Sequence, residues 1–244
     1  MRVPTGVAPS VAALALGYVF GALPSADIAS SLASTNTTDL RHSGSANPGA
    51  LNAGMTLGKK WGAVVLVADV AKGVGASAVG RALVGANGAN IAATAAVAGH
   101  CYPPGRTGGK GVSTSIGQVI GTFPIFLPLD MAVAAVTVAL PKWTQRTWAA
   151  TASASIAWVS TAVLTYRKAW STGLDAPAPR SLPIAAAISS AIIAKRFLDT
   201  PLVDGKPSPP NGVPDKHIDK KSEDDDRSVH RFEQPTERER GELG

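Results

Sequence analysis

The segment VSTSIGQVIGTFPIFLPLDMAVAAVTVAL, residues 112–140, decides the architecture of this chain. It is too long for one untilted helix across a bilayer, which needs roughly 20 apolar residues, and Pro124 and Pro128 fall in its middle. Proline lacks a backbone donor and clashes with the preceding helical turn, so the segment reads as two short helices joined near residues 123–128. Read instead as a single span, it would move everything after it to the other side of the membrane. Outward from this hairpin, apolar runs occupy residues 11–33, 61–79 and 84–98 upstream, and 147–166 and 182–196 downstream. The expectation is an all-α, polytopic membrane protein of about seven transmembrane helices.

Charge is distributed to match. Residues 199–244 hold 12 of the 17 acidic residues against 8 of the 23 basic ones, leaving the first 198 residues at +10 and the tail at −4. The tail is Pro-rich, charged and poor in large apolar side chains, so it cannot bury enough surface to offset chain entropy. It reads as a disordered cytoplasmic segment, 199–244, following a transmembrane unit, 1–198, and any partner it has is unknown. A soluble core would need polar helix faces that the apolar runs lack. Arg2 ahead of the first run invites a signal-peptide reading, but no small-residue cleavage site precedes a soluble domain and another apolar run follows. That first run is expected to be an uncleaved span. Cys101 is a lone cysteine, so no internal disulfide is expected. No metal spacing, cofactor motif or basic-aromatic array for nucleic acid is present.

Lysine and arginine fix the orientation. Arg41, Lys59 and Lys60 follow the first run, Arg106 and Lys110 the third, Lys142 and Arg146 the hairpin, and Lys195 and Arg196 the last. Under the positive-inside rule these clusters share the cytoplasmic side. Arg167, Lys168 and Arg180 fall on the opposite side and run against the rule.

The polar chemistry lies in these inside loops and the spans beside them. Residues 44–52 read Gly-Ser-Ala-Asn-Pro-Gly-Ala-Leu-Asn, a flexible backbone whose N–H groups can converge on an anion, though such a loop can equally be an ordinary turn. Gly108-Gly109-Lys110-Gly111 lacks the Ser or Thr after its lysine that a nucleotide P-loop requires. It is left as a glycine-rich turn whose lysine either meets phosphate or anchors a helix. Asp69 and Lys72 stand three apart on one helical face inside a span, as a functional pair or a structural one. His100 ends a short third run and could move a proton, donate to phosphate or cap the interface. Asp27 and Asp130 lie in apolar runs without an evident partner.

Taken in order, GS-x-N-x-GA-x-N, D-x-x-KG and GH followed by GGKGV resemble the bacterial glycerol-3-phosphate acyltransferase family that uses acyl phosphate as donor, the PlsY type. Residues 21–25, Gly-Ala-Leu-Pro-Ser, and Asp39-Leu40-Arg41 are similar to further segments of that family, and the resemblance covers about residues 11–198. It implies a bacterial inner-membrane enzyme with a cytoplasmic site. Such an enzyme transfers a fatty acyl group from acyl phosphate to the 1-hydroxyl of glycerol 3-phosphate, without a cofactor, metal or acyl-enzyme. By this resemblance His100 and Lys110 are catalytic. Ser45, Asn47, Gly49, Asn52, Lys72, Gly109 and Thr114 bind substrate phosphate, and Asp69 and Arg41 support them.

The chain departs from the family pattern GSGNxGATNxxR at Ala46, Leu51 and Met55, and Ile193 stands where an asparagine is usual. The missing arginine would have been a bidentate phosphate donor, which other cations replace poorly. Two functions of different class follow. One is a divergent acyltransferase in which Arg41, Lys59 or Arg106 supplies the lost charge. The other is a family-shaped protein that binds lipid or regulates a partner without catalysis.

Overall fold

A computed structural model describes residues 6–33, 38–140 and 146–200. The described residues form helices α1 (Val7–Ala22), α2 (Ser25–Ala33), α3 (Ala50–Thr56), α4 (Lys59–Cys101), α5 (Val112–Thr122), α6 (Leu127–Ala139), α7 (Arg146–Arg167) and α8 (Ser181–Asp199). A single 3-10 turn, Pro124–Phe126, joins α5 to α6. The tail expectation, and Lys142 with it, falls outside the described residues.

The fold is organised on α4. Its 43 residues would make a straight rod of about 65 Å, twice the roughly 30 Å of a hydrocarbon core. Instead the backbone breaks at Val84 and at Gly85, whose φ of 65° lies in the left-handed region. The two arms fold back until Gly80 meets the Gly88 carbonyl. Residues 59–83 and 86–101 therefore form a helical hairpin, matching the two separate apolar runs in the sequence. Against it pack α1, α5, α3, α8 and α2, while α6 and α7 pair outside them.

Small residues make these crossings close. A Cβ on Gly73 or Gly117 would strike the facing backbone of α5 or α4, and one on Gly17, Gly21 or Gly99 would do the same between α1 and α4. Alanines fill the cluster of Ala13, Ala76, Ala92 and Ala96, whereas Val11, Val19, Val67, Val136, Ile156, Ile184 and Leu198 face outward. Large apolar residues outside and small ones inside are the pattern of helices packing in lipid, where close backbone approach replaces the hydrophobic drive.

The proline hairpin is present. The chain bends by 118° between residues 112–122 and 124–139. Residues 7–33, α4 and α8 are each long and apolar enough to cross a membrane, and the bent α5–α6 pair is so only when taken together; α7, which covers the 147–166 run, is a 22-residue helix but is not apolar enough by the same measure. One feature differs from the sequence reading. The first run is interrupted at Leu23–Pro24, because Pro24 cannot continue α1, and α2 starts afresh at Ser25.

Charged side chains gather at both ends of the bundle. At one end Arg81 holds Asp175 through two bonds of 2.6 and 3.1 Å and also donates to the Gly121 carbonyl. At the other, Arg41 donates to the Thr107 carbonyl at 2.8 Å and Arg196 to that of Gly108 at 2.9 Å, drawing the 38–49 and 102–111 loops and the end of α8 together.

Candidate functional site

The break at Pro24 explains the centre of the site. It frees the Ser25 hydroxyl to donate to Asp69 Oδ1 at 2.6 Å and to accept from Lys72 Nζ at 2.8 Å. Lys72 Nζ also donates to Asp69 Oδ1 at 2.8 Å, and His100 Nδ1 lies 3.5 Å from the same oxygen. Asp69 is 1% exposed, Lys72 6% and His100 7%. The α4 hairpin is what brings residues 69 and 100 to one depth, since both stand about 15 residues from its tip. Burying such a cluster is costly unless each polar group has partners, and here each does.

Two cavities meet at this cluster. The smaller, about 20 Å³, is lined by Ser25, Asp27, Arg41, Lys72, His100 and Arg106, with Gly108 and Gly109. Three cations face it. Arg41 is held by Asp27 at 2.7 and 3.2 Å, and that carboxylate raises the Arg41 pKa and fixes its charge. Arg106 Nη1 lies 3.9 Å from Asp27, and its other terminal nitrogen donates to the Ala22 carbonyl. Asp27, without an evident partner in the sequence, is thus the counter-ion that aims two arginines. Gly109 donates its N–H to the His100 carbonyl at 3.1 Å, and any Cβ there would collide with His100 Nε2.

The larger cavity, about 670 Å³, opens on the other side of His100. Its polar end carries Asn47, Gly49, Lys59, Asp69 and Lys110, and its apolar wall Leu51, Met55, Leu66, Ile116 and Phe197. Lys110 Nζ sits 4.4 Å over the Phe197 ring. Burial, and then the like charge of Arg196, push the Lys110 pKa down. The Asn47 side-chain oxygen, Oδ1, is buried without a hydrogen-bond partner among the described residues. Leu51 and Met55, read from sequence as lost polar ligands, are 69% and 60% exposed on the groove side of α3. They extend its apolar wall.

The remaining sequence candidates lie elsewhere. Asn52 is fully buried and spends its amide inside the loop, donating to the Leu40 and Ser43 carbonyls and accepting from the Ser45 N–H, all at 2.9 Å. It shapes the 38–49 loop rather than facing either cavity, and Ser45 lines neither of the two. Thr114 is buried where α5 crosses α4 at Gly73, with no partner for its hydroxyl among the described residues. Sequence reading missed Ser25, whose only signal was the following-proline context of residues 21–25, and Arg196, whose 7% exposure no periodicity revealed. Ile193 packs with Val97, Cys101 and Phe197 beneath the site.

The class defined by this fold is an all-helical integral membrane protein with a buried charged cluster between a cationic hole and an apolar groove. Residues 11–198 match the glycerol-3-phosphate acyltransferase family profile, and the chain belongs to that family. It is 37% identical over 130 residues to the glycerol-3-phosphate acyltransferase of Thermoanaerobacter sp. (strain X514), covering 52% of this chain and 65% of that protein. It is 42% identical over 115 residues to that of Rhodopseudomonas palustris (strain HaA2), covering 46% and 57%. The chain thus spans somewhat less than two thirds of these relatives. Its fold is similar to the crystal structure of PlsY (YgiH), an integral membrane glycerol 3-phosphate acyltransferase, in its glycerol 3-phosphate form. That match has a TM-score of 0.61 and 25% identity, over 78% of this chain and 88% of that one. The lysophosphatidic acid form of the same protein matches with a TM-score of 0.60 and 23% identity, over 77% and 87%.

Proposed function

We propose that this chain transfers a fatty acyl group from acyl phosphate to the 1-hydroxyl of glycerol 3-phosphate, forming lysophosphatidic acid and releasing phosphate at the cytoplasmic face of a bacterial inner membrane. The observation that carries the reading is that His100 lines both the cationic hole and the apolar groove. An acyl phosphate is linear, with its anion and its chain on opposite sides of the reacting carbonyl, and it fits across this wall. At about 20 Å³ the hole holds little more than one water-sized group, since about 10–15 Å³ already holds a water, so it takes terminal oxygens of the phosphate rather than the whole group. Lys72, Arg41 and Arg106 offer it charge, the groove takes the chain, and the carbonyl stands at His100.

Glycerol 3-phosphate then docks at the polar end of the groove, its phosphate against Lys110 and Lys59 beside Asn47 and Gly49. Its hydroxyl attacks the acyl carbon; the new ester C–O bond forms, the bond to the phosphate oxygen breaks, and a phosphate oxygen takes the hydroxyl proton. Lys72 and the arginines stabilise the leaving anion, and His100 donates a hydrogen bond or orients the hydroxyl. Because acyl phosphate carries its own leaving group, positioning and preorganised charge supply the catalysis. Asp69 supports by holding Lys72 and His100 from behind. Ser45, Asn52 and Thr114 act by shaping the loop and the helix crossing. The end of the bundle that carries the site faces the cytoplasm by the positive-inside rule.

The test is acyl transfer by purified protein in detergent, with labelled glycerol 3-phosphate and either palmitoyl phosphate or palmitoyl-CoA. Labelled lysophosphatidic acid from the phosphate donor alone is expected. No product from folded protein with either donor overturns the reading and favours a lipid-binding protein without catalysis.

A further inference from the structure

A second apolar chamber of about 430 Å³ continues from the groove, sharing Leu51, Val112, Ile116 and Thr147 with it and running between α5, α6 and α7. Its deep end is not apolar. Asp130 on α6 lines it, is 4% exposed, and neither carboxylate oxygen meets a hydrogen-bond partner among the described residues. Trp158 on α7 lines the same chamber at 5% exposure, and its indole N–H is likewise without a partner. The two stand within about 3 Å of one depth: from the Thr137–Ser153 hydroxyl contact of 2.8 Å between α6 and α7, Asp130 lies seven residues along α6 and Trp158 five along α7, about 10.5 and 7.5 Å at 1.5 Å per residue.

A buried acid and a buried indole N–H left unsatisfied each cost free energy comparable to a lost hydrogen bond. A plain methylene chain satisfies neither. A hydroxyl satisfies both, because it donates to a carboxylate oxygen and accepts from an indole N–H. We infer that this chamber is a specificity pocket for an acyl chain bearing a hydroxyl in its interior, with Asp130 and Trp158 holding that hydroxyl. The inference rests on the proposal that the groove takes the acyl chain, and it names the kind of chain.

Two measurements separate the claims. In the first, protein in lipid nanodiscs is titrated calorimetrically with palmitate and with monohydroxypalmitates that differ in hydroxyl position, empty nanodiscs serving as reference. At least one isomer with an interior hydroxyl is expected to bind about tenfold tighter than palmitate, the scale at which an unpaired buried polar group discriminates. That preference is expected to vanish in Asp130→Leu and to weaken in Trp158→Phe. Equal binding of all isomers and palmitate by the wild type, or a preference that survives in Asp130→Leu, overturns the inference. In the second, the matching acyl phosphates are compared as donors, and the same isomer should give the highest kcat/KM. Absence of turnover with every donor refutes the acyltransferase reading, while the binding series still decides the chamber.

Discussion

Removing both charges of the Asp69–Lys72 pair, rather than one, distinguishes a structural ion pair from a working one. In Asp69→Asn the Lys72 ammonium, 6% exposed, keeps the Ser25 hydroxyl at 2.8 Å and a neutral amide oxygen but loses its counter-ion. Breaking a buried pair on one side costs about 3–5 kcal/mol, which for a bundle of this size lowers Tm by about 6–20 °C. Lys72→Met should cost less, because Asp69 retains the Ser25 hydroxyl at 2.6 Å and His100 at 3.5 Å. The double variant Asp69→Leu/Lys72→Met replaces the pair with apolar groups, which is often close to neutral, so its Tm should recover most of the loss. Its acyl transfer should not recover, since the cation facing the hole is gone; at least a 100-fold deficit is expected, as for loss of one oxyanion-stabilising donor. Thermal unfolding in detergent and lysophosphatidic acid formation are read on the same samples. A double variant with near-normal turnover would refute the assignment of Lys72 to the donor's phosphate and leave the pair as packing alone.

Other perturbations follow from the same geometry. Because burial and Arg196 lower the Lys110 pKa, its ammonium is lost at lower pH than an ordinary lysine's; kcat/KM should fall on the alkaline side below pH 10.5, and Arg196→Gln should move that limb upward. Gly109→Ala puts a methyl on His100 Nε2 and should cut turnover at least tenfold while shifting Tm little. Ala46 has a left-handed φ of 52°, a conformation that costs a side-chain-bearing residue about 1–2 kcal/mol, so Ala46→Gly should raise Tm. Deleting residues 203–244 should leave transfer intact; lost activity at normal expression would give the tail a role.

What the sequence made legible was whatever local physics controls. Pro124 and Pro128 announced the α5–α6 hairpin, and hydropathy separated the arms of α4 before Gly85 was seen to join them. Asp69 and Lys72 at a three-residue spacing declared themselves a pair. What stayed hidden depended on contacts distant in sequence. Asp27 finds Arg41 and Arg106 only because α2 restarts at Ser25 beside two loops, and Arg196 reaches Gly108 only because α8 docks there. Asn52 read as the end of the 44–52 loop but stands in the first turn of α3, with its side chain committed to the Leu40 and Ser43 carbonyls. Leu51 and Met55 read as losses while the motif was a line of letters, and as groove lining once α3 gave them a face.

The central claim, that acyl phosphate lies across His100 with its phosphate at the small cavity while glycerol 3-phosphate sits at the polar end of the large one, is tested most directly by two-substrate kinetics on one assay of lysophosphatidic acid. Arg106→Ala should raise KM for palmitoyl phosphate alone, Lys110→Ala should raise KM for glycerol 3-phosphate and remove most turnover, and His100→Ala should lower kcat with both KM values little changed. Equal effects of Arg106→Ala and Lys110→Ala on both substrates, or full turnover without His100, would contradict the account.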